Sequence, residues 1–474
     1  MTSENDIFDV IVIGAGPVGE EAAARAVRGG LTTAVIETRL VDGECHYYGC
    51  VPSKALLWPM ELAAAVGRMP GLTLNGSIDA VAVLERRDEF VSRYDDSGAV
   101  TWLHDLPSTF VRGWGRLAGP RQVEVATADG AIRALGARHA VVIATGSTPY
   151  IPDVPGLRAA RPWTNQEATS VQKVPKRLVV IGAGPVACEM SQALYALGAE
   201  EITLLERGDR LLPRTEPFAG QMVAESLQGS GIDIRFGHAP SLIERPVPGG
   251  PVTVYMDDGS RIHADEILVA TGRRAAVNDL GLETVGLEPD GPIRVDASMR
   301  ATQVPDGWLY AVGDVNGRNA LTHMGKYQAR VCGDVIAARA DSDPDNLPAL
   351  RDSADDRGAP QVIFTDPQVG TVGLTEATAR AAGFPVRTVE YDMGQVIGAQ
   401  LQAQQYHGRA KLVVDDQRRV LLGATFVGPA VVDLLHSATV AVTAEVTLDQ
   451  LWHAVPVFPT TGEIWLYLLQ EYAL

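Results

Sequence analysis

The stretch DVIVIGAGPVGEEAAARA, residues 9–26, decides the fold of this chain. A β-branched run meets glycines and then an Ala-rich segment, a pattern that predicts a strand, a tight turn and a helix. Gly14, Gly16 and Gly19 fit the spacing G-x-G-x-x-G, whose glycines allow the turn, the close approach of a pyrophosphate and the packing of helix against strand. Glu37 closes the next predicted strand, LTTAVIE, at a spacing that suits a carboxylate bound to a ribose hydroxyl. The stretch therefore predicts a dinucleotide-binding βαβ unit.

The same pattern returns in residues 177–199, RLVVIGAGPVACEMSQALYALGA. Gly182 and Gly184 keep the first two glycine positions, and Ala187 takes the third, which the motif tolerates. Glu206 closes the strand that follows. Two such units predict two bound dinucleotides, and a flavin and a nicotinamide that exchange a hydride are the economical interpretation.

Three further motifs extend these units. Apolar runs that end in Thr-Gly, VVIATG and ILVATG, follow both of them, and we include Thr145, Gly146 and Gly272 among the expected cofactor-binding residues. The run LYAVGDVNG predicts a strand that leads into Gly313 and Asp314. Asp314 suits a polyol hydroxyl, although a turn aspartate explains the isolated motif equally well.

Composition narrows the class of protein. The 474 residues suffice for roughly three domains, and an apolar content of 46% is typical of a globular protein. Acidic residues outnumber basic ones by 58 to 40, and the net charge of −18 argues against nucleic acid or an anionic membrane as a partner. No apolar run reaches about 18 residues, and the amino terminus lacks a basic signal-peptide region, so we expect a cytoplasmic protein.

The chain contains four cysteines, Cys45, Cys50, Cys188 and Cys332. Four are too few for a disulfide framework, and their spacing does not suit zinc, so no metal is expected. The string GECHYYGCVPSKALL places Cys45 and Cys50 directly before a helix that we predict to begin near residues 52–53. The helix amino terminus and Lys54 favour a thiolate at Cys50. The pair predicts redox chemistry, whereas the other two cysteines suit buried apolar positions.

At this string the sequence resembles the flavin-dependent pyridine nucleotide-disulfide oxidoreductases, the group that contains dihydrolipoamide dehydrogenase, glutathione reductase and mercuric reductase. Their motif has two cysteines separated by four residues, then a small apolar residue, Pro, Ser or Thr, and Lys. The resemblance runs from Asp9 to about Glu463. It implies an α/β fold with two Rossmann-like dinucleotide-binding domains and a carboxy-terminal α+β dimerisation domain, in a homodimer with FAD and NAD(P)H as cofactors and a small-molecule electron acceptor.

The implied domains follow the order of the motifs. We predict the first part of an FAD-binding domain at 1–152, an NAD(P)-binding domain at 153–275, the second, central part of the FAD-binding domain at 276–345, and a linker with the dimerisation domain at 346–474. Within the last range, RAKLVVD and VLLGATFVG alternate like strands, and a helix is predicted from Ala430 to His453. Residues 340–360, rich in Asp, Pro and Ser, predict a solvated linker.

The resemblance also implies roles for single residues. Cys50 would lie against the flavin, and Cys45 would be the exposed thiol that exchanges with substrate. Lys54 would sit beside the reactive nitrogen of the flavin, paired with Glu189. Asp314 would bind the ribitol chain. The remaining implied residues are Thr322 and His323 near the pyrimidine end of the flavin, and Glu463 among the catalytic residues.

The carboxy terminus departs from the family pattern. The family signature His-Pro-x-x-x-Glu carries a His that protonates the leaving thiolate across the dimer interface. In WHAVPVFPTTGEIW, residues 452–465, one register keeps Glu463 but places Phe458 at the His position, and the other register places Val455 there. Neither side chain transfers protons. The candidate substitutes are His453, His436, His46, Tyr47 and Tyr48, of which the last three also suit packing beside the flavin.

Losing a general acid-base group costs on the order of 10²- to 10⁴-fold in rate. The main hypothesis is therefore an oxidoreductase that passes a hydride from NAD(P)H through FAD to a Cys45–Cys50 disulfide and on to an unusual acceptor, such as a quinone, a metal ion, oxygen or a non-standard disulfide. An orthodox dihydrolipoamide dehydrogenase with a displaced His is one alternative. A flavin-bound redox sensor or binding protein without efficient turnover is another. The sequence names neither the acceptor nor the direction of the reaction.

The choice of nicotinamide rests on conflicting residues. Glu206 suits both ribose hydroxyls of NADH and repels the 2′-phosphate of NADPH. Ala187 is common in NADPH-using relatives, and Arg207 or Arg210 could bind that phosphate. A carboxylate opposite a phosphate is a direct electrostatic penalty, so we expect a preference for NADH.

Overall fold

The computed structural model describes residues 6–341, 350–355 and 357–473. The chain divides into two compact units. The first consists of Met1–Val51, Asp88–Pro149 and Arg273–Asp355, and the second of Pro52–Arg87, Tyr150–Gly272 and Asp356–Leu474. Residues 342–349 and 356, which make up much of the predicted linker, lie outside the described part of the chain. The four predicted domain ranges remain predictions.

The first unit contains the first predicted βαβ unit, in a sheet with a parallel core. The order of the parallel strands is Ser108–Arg112, Thr33–Glu37, Ile7–Ile13, Ile132–Ile143 and Leu309–Ala311. In register, Val12 lies beside Val35 and Val142. The two faces carry separate apolar clusters, one around Ile11 and one around Val12, because successive side chains of a strand point to opposite faces.

Further elements of the first unit extend and cover this sheet. Two antiparallel strands, Gln122–Ala126 and Trp114–Leu117, continue it beside the amino-terminal half of Ile132–Ile143. A short antiparallel pair joins Ser147–Pro149 and Arg273–Ala275. The helices are Pro17–Arg28, Gly43–Tyr48, Ser97–Asp105 and Thr322–Ala340, with 3₁₀ turns at Ser92–Tyr94, Leu282–Val285, Pro305–Gly307 and Gly313–Asn316.

Two helices contain residues of both units, Cys50–Arg68 and Ala80–Phe90. The sequence predicts that the first of them begins near residues 52–53, and this is wrong, because it begins at Cys50. Pro52 does not delay the helix, since backbone N–H groups of the first turn need no acceptor within the helix. Cys50 is therefore the first helical residue.

The second unit contains the second predicted βαβ unit. Its parallel strands run in the order Asp233–Phe236, Glu201–Glu206, Arg177–Ile181 and Glu266–Val269. The helices of this region are Asn165–Thr169, Pro185–Ala196 and Pro217–Gly229, and the strands Pro240–Glu244, Val252–Met256 and Arg261–Ala264 form an antiparallel sheet. The helix Pro185–Ala196 is buried at every position from Ala187 to Leu194. This burial encloses Glu189.

The carboxy-terminal part of the second unit is an antiparallel sheet covered by helices. The strand order is Pro360–Ile363, Gln368–Gly373, Val420–Gly428, Arg409–Asp415 and Val386–Asp392. The strands predicted from RAKLVVD and VLLGATFVG are thereby confirmed. The helices are Glu376–Ala381, Ile397–Gln400, Val432–Thr443, Leu448–Trp452 and Ile464–Glu471, with 3₁₀ turns at Met393–Gln395 and Thr461–Glu463.

The single helix predicted over residues 430–453 is wrong. The structure has two helices there, Val432–Thr443 and Leu448–Trp452. Glu445 adopts a φ of 50°, a left-handed conformation that ends a helix, and Thr447 begins the next helix through a capping box.

The observed elements confirm the α/β fold class, with two Rossmann-like units and a carboxy-terminal α+β part. Over residues 6–341, 350–355 and 357–473, none of the helices combines the length and the apolar character needed to cross a bilayer.

Candidate active site

The first dinucleotide turn lies at the carboxyl end of the first strand. Gly14 has a φ of 103°, and a Cβ there would collide with the carbonyl oxygen of Ala144. A Cβ on Gly19 would overlap the carbonyl oxygen of Gly14, so glycine is required for this close packing. Gly16 is open, since among the described residues the nearest heavy atom to a Cβ there is Gly43 Cα, at 3.9 Å. The turn therefore leaves room for a pyrophosphate at the helix amino terminus.

Glu37 ends the second strand and closes this turn. Its Oε2 atom accepts a hydrogen bond from the backbone N–H of Ala15 at 2.8 Å, and its Oε1 atom accepts one from the N–H of Arg39 at 2.7 Å. The two bonds hold the carboxylate beside the glycine turn, where a ribose hydroxyl of a bound dinucleotide is expected.

The second turn repeats this geometry in the second unit. Gly182 has a φ of 120°, and a Cβ there would collide with the carbonyl oxygen of Ala270. Around Gly184, no heavy atom of the described residues, apart from its chain neighbours, lies within 4 Å of a Cβ position. Ala187 is fully buried. The residues at both turns thus fit the phosphates of a dinucleotide.

The end of the next strand carries the groups predicted to select the nicotinamide. Glu206 accepts a hydrogen bond from the N–H of Gly208 at 2.6 Å through Oε1. Arg210 donates from Nη2 to the carbonyl oxygen of Pro213 at 2.7 Å, and Arg207 is exposed. The carboxylate therefore stands at the strand end, while one arginine is engaged by the backbone and the other faces solvent.

Cys45 and Cys50 converge on one hydroxyl group in the first unit. Thr322 donates from Oγ1 to Sγ of Cys45 at 2.9 Å, and the same Oγ1 lies 3.7 Å from Sγ of Cys50. Both cysteines are reduced thiols in this structure. The hydrogen bond with Cys50, together with burial, raises the pKa of the Cys45 thiol well above its usual range. The arrangement holds two sulfurs together for thiol-disulfide chemistry.

The two thiols differ in their exposure at the surface of the protein chain. Cys45 is half-buried and Cys50 is exposed. Cys45 lies inside the short helix Gly43–Tyr48 and against Thr322, whereas Cys50 is the first residue of its helix. Which sulfur contacts a flavin stays a prediction.

The three residues between the thiols pack with their neighbours. Tyr47 is 1% exposed, and its ring meets that of His46 edge-on at 4.6 Å. The Tyr47 hydroxyl donates to the carbonyl oxygen of Asp95 at 3.4 Å, and burial raises the pKa of Tyr47 to about 12. Tyr48 stacks on Tyr94 with ring centroids 5.4 Å apart. Of the two roles considered for Tyr47, packing suits these contacts better than proton transfer.

Two residues that the sequence analysis did not identify, Ser147 and Arg273, connect Asp314 to the helix Gly43–Tyr48, which contains Cys45. Ser147 donates from Oγ to Oδ2 of Asp314 at 2.5 Å, and Arg273 donates from Nε to the Ser147 Oγ at 2.6 Å. Nη1 of Arg273 pairs with Oε1 of Glu44 at 2.9 Å, and Glu44 directly precedes Cys45. The only feature of the sequence that could have identified Ser147 and Arg273 is their position, because each directly follows a Thr-Gly pair at the end of a predicted strand.

The other predicted cofactor residues lie in turns or at helix starts. Thr145 donates from Oγ1 to the carbonyl oxygen of Ala276 at 2.8 Å. Left-handed φ values occur at Gly146, Gly272 and Gly313. His323 is exposed on the first turn of the helix Thr322–Ala340.

Lys54 and Glu189 form the predicted ion pair in the second unit. Nζ of Lys54 lies 2.8 Å from Oε2 of Glu189, whose side chain is only 6% exposed. The other carboxylate oxygen, Oε1, accepts the backbone N–H of Phe364 at 2.9 Å. The Lys54 ammonium also lies over the Phe364 ring, 4.8 Å from its centroid. Both carboxylate oxygens of Glu189 therefore have a partner. The carboxylate fixes the position of the Lys54 ammonium, whose side chain is one-third exposed.

The carboxy-terminal segment exposes apolar side chains where the signature His is expected. Val455 is 83% exposed and Phe458 is 69% exposed. Glu463 is buried, and its Oε2 atom makes no hydrogen bond to any described residue. His453 and His436 are both exposed at the surface of this single chain. Glu463 is therefore buried with one carboxylate oxygen that has no hydrogen-bond partner among the described residues.

Comparison with known proteins identifies relatives over nearly the whole chain. Residues 8–329 match the family model described as pyridine nucleotide-disulphide oxidoreductase, and residues 359–468 match the model of its dimerisation domain. The chain is 31% identical to a dihydrolipoyl dehydrogenase of Chlamydia muridarum, covering 97% of this chain and 96% of that protein. It is 33% identical to dihydrolipoyl dehydrogenase 3 of Pseudomonas aeruginosa, covering 96% of each.

Two further matches are proteins other than dihydrolipoyl dehydrogenases. The chain is 29% identical to a mercuric reductase of Staphylococcus aureus, covering 96% of this chain and 81% of that protein. Among solved structures, the Cu(II) complex of the HOCl-induced flavoprotein disulfide reductase RclA from Escherichia coli matches with a TM-score of 0.83 at 21% identity, covering 98% of this chain and 99% of that one. At that identity the structural match supports the fold alone.

Proposed function

Because the chain belongs to the pyridine nucleotide-disulphide oxidoreductase family, we propose that it passes a hydride from NADH through FAD to a Cys45–Cys50 disulfide and on to an acceptor other than lipoamide or glutathione disulfide. The disulfide takes up two electrons as its S–S bond breaks. The bond forms again when the acceptor takes those electrons. Bound FAD supplies the centre that receives a hydride and reduces a disulfide.

The observation that carries this proposal is the convergence of two thiols on Thr322. Its Oγ1 atom donates to Cys45 and reaches Cys50. The one proton of this hydroxyl can stabilise a thiolate at one sulfur at a time, and Cys50 gains separately from the amino terminus of its helix. These groups are what a dithiol needs in order to hold negative charge on one sulfur.

Lys54 would contribute a fixed positive charge to the reductive step. Glu189 holds its ammonium through a short ion pair and is itself held by the N–H of Phe364. A lysine oriented in this way stabilises negative charge that develops on a neighbouring reduced ring. We propose this role for Lys54 and a positioning role for Glu189.

The unusual acceptor follows from the carboxy-terminal segment. Val455 and Phe458, the two residues that replace the signature His in the two registers, carry no group that transfers a proton. The buried Oε2 atom of Glu463 makes no hydrogen bond within the described residues, so no described side chain supplies it with a proton donor. An acceptor that needs little protonation, such as a quinone or a metal ion, or a disulfide with an acidic leaving thiol, suits this site.

We also propose that the protein is a homodimer. The dimerisation-domain match covers residues 359–468, and this region exposes large apolar side chains at Val440, Val455, Val457 and Phe458. Val455, Val457 and Phe458 lie within four positions of one another, and clustered exposed apolar side chains are typical of interfaces. A cytoplasmic location and a small-molecule acceptor remain predictions.

An anaerobic NADH titration followed by a panel of acceptors tests the function. We expect two-electron reduction to produce a long-wavelength absorption band from the Cys50 thiolate against oxidised flavin. Cys50→Ser should abolish the band, and Cys45→Ser should leave a permanent thiolate. Direct passage to reduced flavin in the wild type would show that the roles of the two thiols are wrong.

The acceptor is tested with lipoamide, glutathione disulfide, quinones and Hg(II) or Cu(II). The first two should be poor substrates. Phe458→His should raise disulfide turnover if the Phe458 register is correct, and Val455→His is the matched variant for the other register. Robust lipoamide reduction by the wild type that collapses in His453→Ala would instead support an orthodox dihydrolipoamide dehydrogenase with a displaced histidine.

A further inference from the structure

The turn that contains Asp314 makes hydrogen bonds to the buried side-chain amide of Gln328. Gln328 is fully buried, and its Oε1 atom accepts hydrogen bonds from the backbone N–H of Gly313 at 2.9 Å and from Nδ2 of Asn316 at 2.8 Å. Gly313 is left-handed, with a φ of 77°, a conformation that glycine adopts at little steric cost. Gln328 therefore holds the backbone of the turn Gly313–Asn316 at Gly313 and its side chain at Asn316.

The other end of the same amide meets a carboxylate from a distant part of the unit. Nε2 of Gln328 donates to Oδ2 of Asp355 at 2.8 Å, and the Asp355 side chain is only 1% exposed. A carboxylate accepts hydrogen bonds and a backbone N–H donates them. Asp355 and Gly313 thus select one of the two orientations that a glutamine amide can take.

Asp355 is itself fixed by an array of partners. Nη1 of Arg318 lies 3.2 Å from its Oδ2 atom, and Nδ2 of Asn319 donates to its Oδ1 atom at 3.1 Å. Asp352 pairs with the same guanidinium at 2.7 Å, and its Oδ1 atom accepts the backbone N–H of Asp355 at 3.1 Å. Burial, with the neighbouring Asp352, raises the pKa of Asp355 to about 6. The contacts within this array come from described residues of the first unit.

We propose that Asp355 and Gln328 are positioning residues for the flavin site: Asp355 orients the amide of Gln328, and Gln328 sets the backbone that presents Asp314 to the ribitol chain. The inference rests on the proposed function, which places FAD at this turn. Gln328 and Asp355 both lie outside the dinucleotide motifs. Asp355 would act on the cofactor only indirectly, through a relay formed by its hydrogen bond to Gln328 and the hydrogen bond from Gly313 to Gln328.

A charge swap in the full-length protein tests the relay. Gln328→Glu places a second carboxylate opposite Asp355 in a buried site, and it should raise the dissociation constant for FAD about tenfold or more, since the hydrogen bond is replaced by repulsion. Asp355→Asn alone keeps an acceptor for Nε2 and should change the constant by less than about threefold. The double variant lets the new Asn donate to the new Glu, so it should recover most of the affinity lost in Gln328→Glu.

Ser353→Ala is the matched control, because Ser353 is exposed on the same segment. Additive losses in the double variant, or unchanged FAD affinity in Gln328→Glu, would overturn the relay. Hydrogen exchange at the Gly313 amide gives a second readout without cofactor: Asp355→Leu, which removes the acceptor, should accelerate it, and no change would also overturn the relay. If the wild type binds no FAD, the proposed function fails while the exchange experiment still decides the relay.

Discussion

The two dinucleotide turns begin with the same five residues, Gly-Ala-Gly-Pro-Val, and each has a glutamate at the eighth position, yet their surroundings differ. At the sixth position, Gly19 has no room for a Cβ, whereas Ala187 is accommodated and fully buried. At the seventh position stand Glu20 in the first turn and Cys188 in the second, both buried. The shared residues specify a strand, a turn and a helix, and the contacts made by the differing residues determine how closely each helix packs.

The glutamate at the eighth position shows the same contrast. Glu21 reaches Lys326 at 3.7 Å, and both side chains are partly exposed. Glu189 pairs with Lys54 at 2.8 Å, with the carboxylate buried. Equal position in a repeated motif therefore does not give equal chemistry, because the lysine and its surroundings come from elsewhere in the chain.

The largest expected effect on flavin binding comes from making the first turn like the second. In Gly19→Ala the new methyl group meets a backbone oxygen of the turn itself, so we expect a cost near the upper end of overpacking, about 3 kcal/mol, with loss of bound flavin. The reverse change, Ala187→Gly, should cost about 0.5–1 kcal/mol. The flavin-to-protein absorbance ratio and the melting temperature measure both variants. Full flavin content and unchanged melting in Gly19→Ala would refute the steric argument.

The residues at the seventh position, Glu20 and Cys188, predict that only the first turn makes the free energy of unfolding depend on pH. Burial and the neighbouring Asp42 raise the pKa of Glu20 from 4.5 to about 8. The folded state therefore binds more protons than the unfolded state over this range, so the free energy of unfolding should fall as pH rises from about 4.5 to about 8, by up to about 5 kcal/mol.

Melting temperatures between pH 5 and pH 8 measure this effect. Glu20→Gln should flatten the pH dependence, because it removes the titrating group. Burial raises the pKa of Cys188 above its usual range, so this thiol stays neutral and Cys188→Ser should leave the slope unchanged. An equal slope in the wild type and Glu20→Gln would assign the dependence to other groups.

The eighth position predicts a smaller difference. Glu189→Gln leaves the Lys54 ammonium without its buried counter-charge and should cost about 1–2 kcal/mol, a value reduced because Lys54 is one-third exposed. Glu21→Gln should cost less than about 0.5 kcal/mol, as for other exposed pairs. Chemical denaturation compares the two variants. Equal costs would show that burial of Glu189 adds nothing to the ion pair.

Much of this fold follows from local sequence. The glycine spacing places both turns, and alternation identifies the strands Arg409–Asp415 and Val420–Gly428, because these signals depend on neighbours within a few residues. The sequence places the helix start two residues too late, since it treats Pro52 as a boundary where the first turn tolerates it. It also joins two helices across residues 444–447, where a left-handed residue and a cap separate them.

The sites that depend on distant residues could not be predicted in this way. The resemblance names Thr322 only as a residue near the flavin, whereas the structure places it against both thiols, more than 270 positions away in sequence. Ser147 and Arg273 reach Asp314 and Glu44 only through the folded sheet, and their residue types carry no signal of their own. Pairings of this kind are set by topology, so a single sequence identifies the chemistry of Cys45 and Cys50 but not the groups that hold them.

The smallest expected effect comes from the carboxylates that end the second strand of each βαβ motif. Glu37 and Glu206 both accept the N–H of the residue two positions on, at 2.7 and 2.6 Å, and Glu37 also accepts the N–H of Ala15. We expect Glu206 to favour NADH, because its charge opposes a 2′-phosphate and Arg210 is held by the backbone. Glu206→Ala should narrow the ratio of kcat/KM for NADH over NADPH by about three- to tenfold, since it removes both a ribose acceptor and the repulsion. Glu37→Ala, measured per bound flavin, is the matched control and should leave that ratio unchanged. Steady-state kinetics with both cofactors decide the point: a higher kcat/KM for NADPH in the wild type, reversed in Arg207→Ala, would show that the exposed arginine overrides the carboxylate.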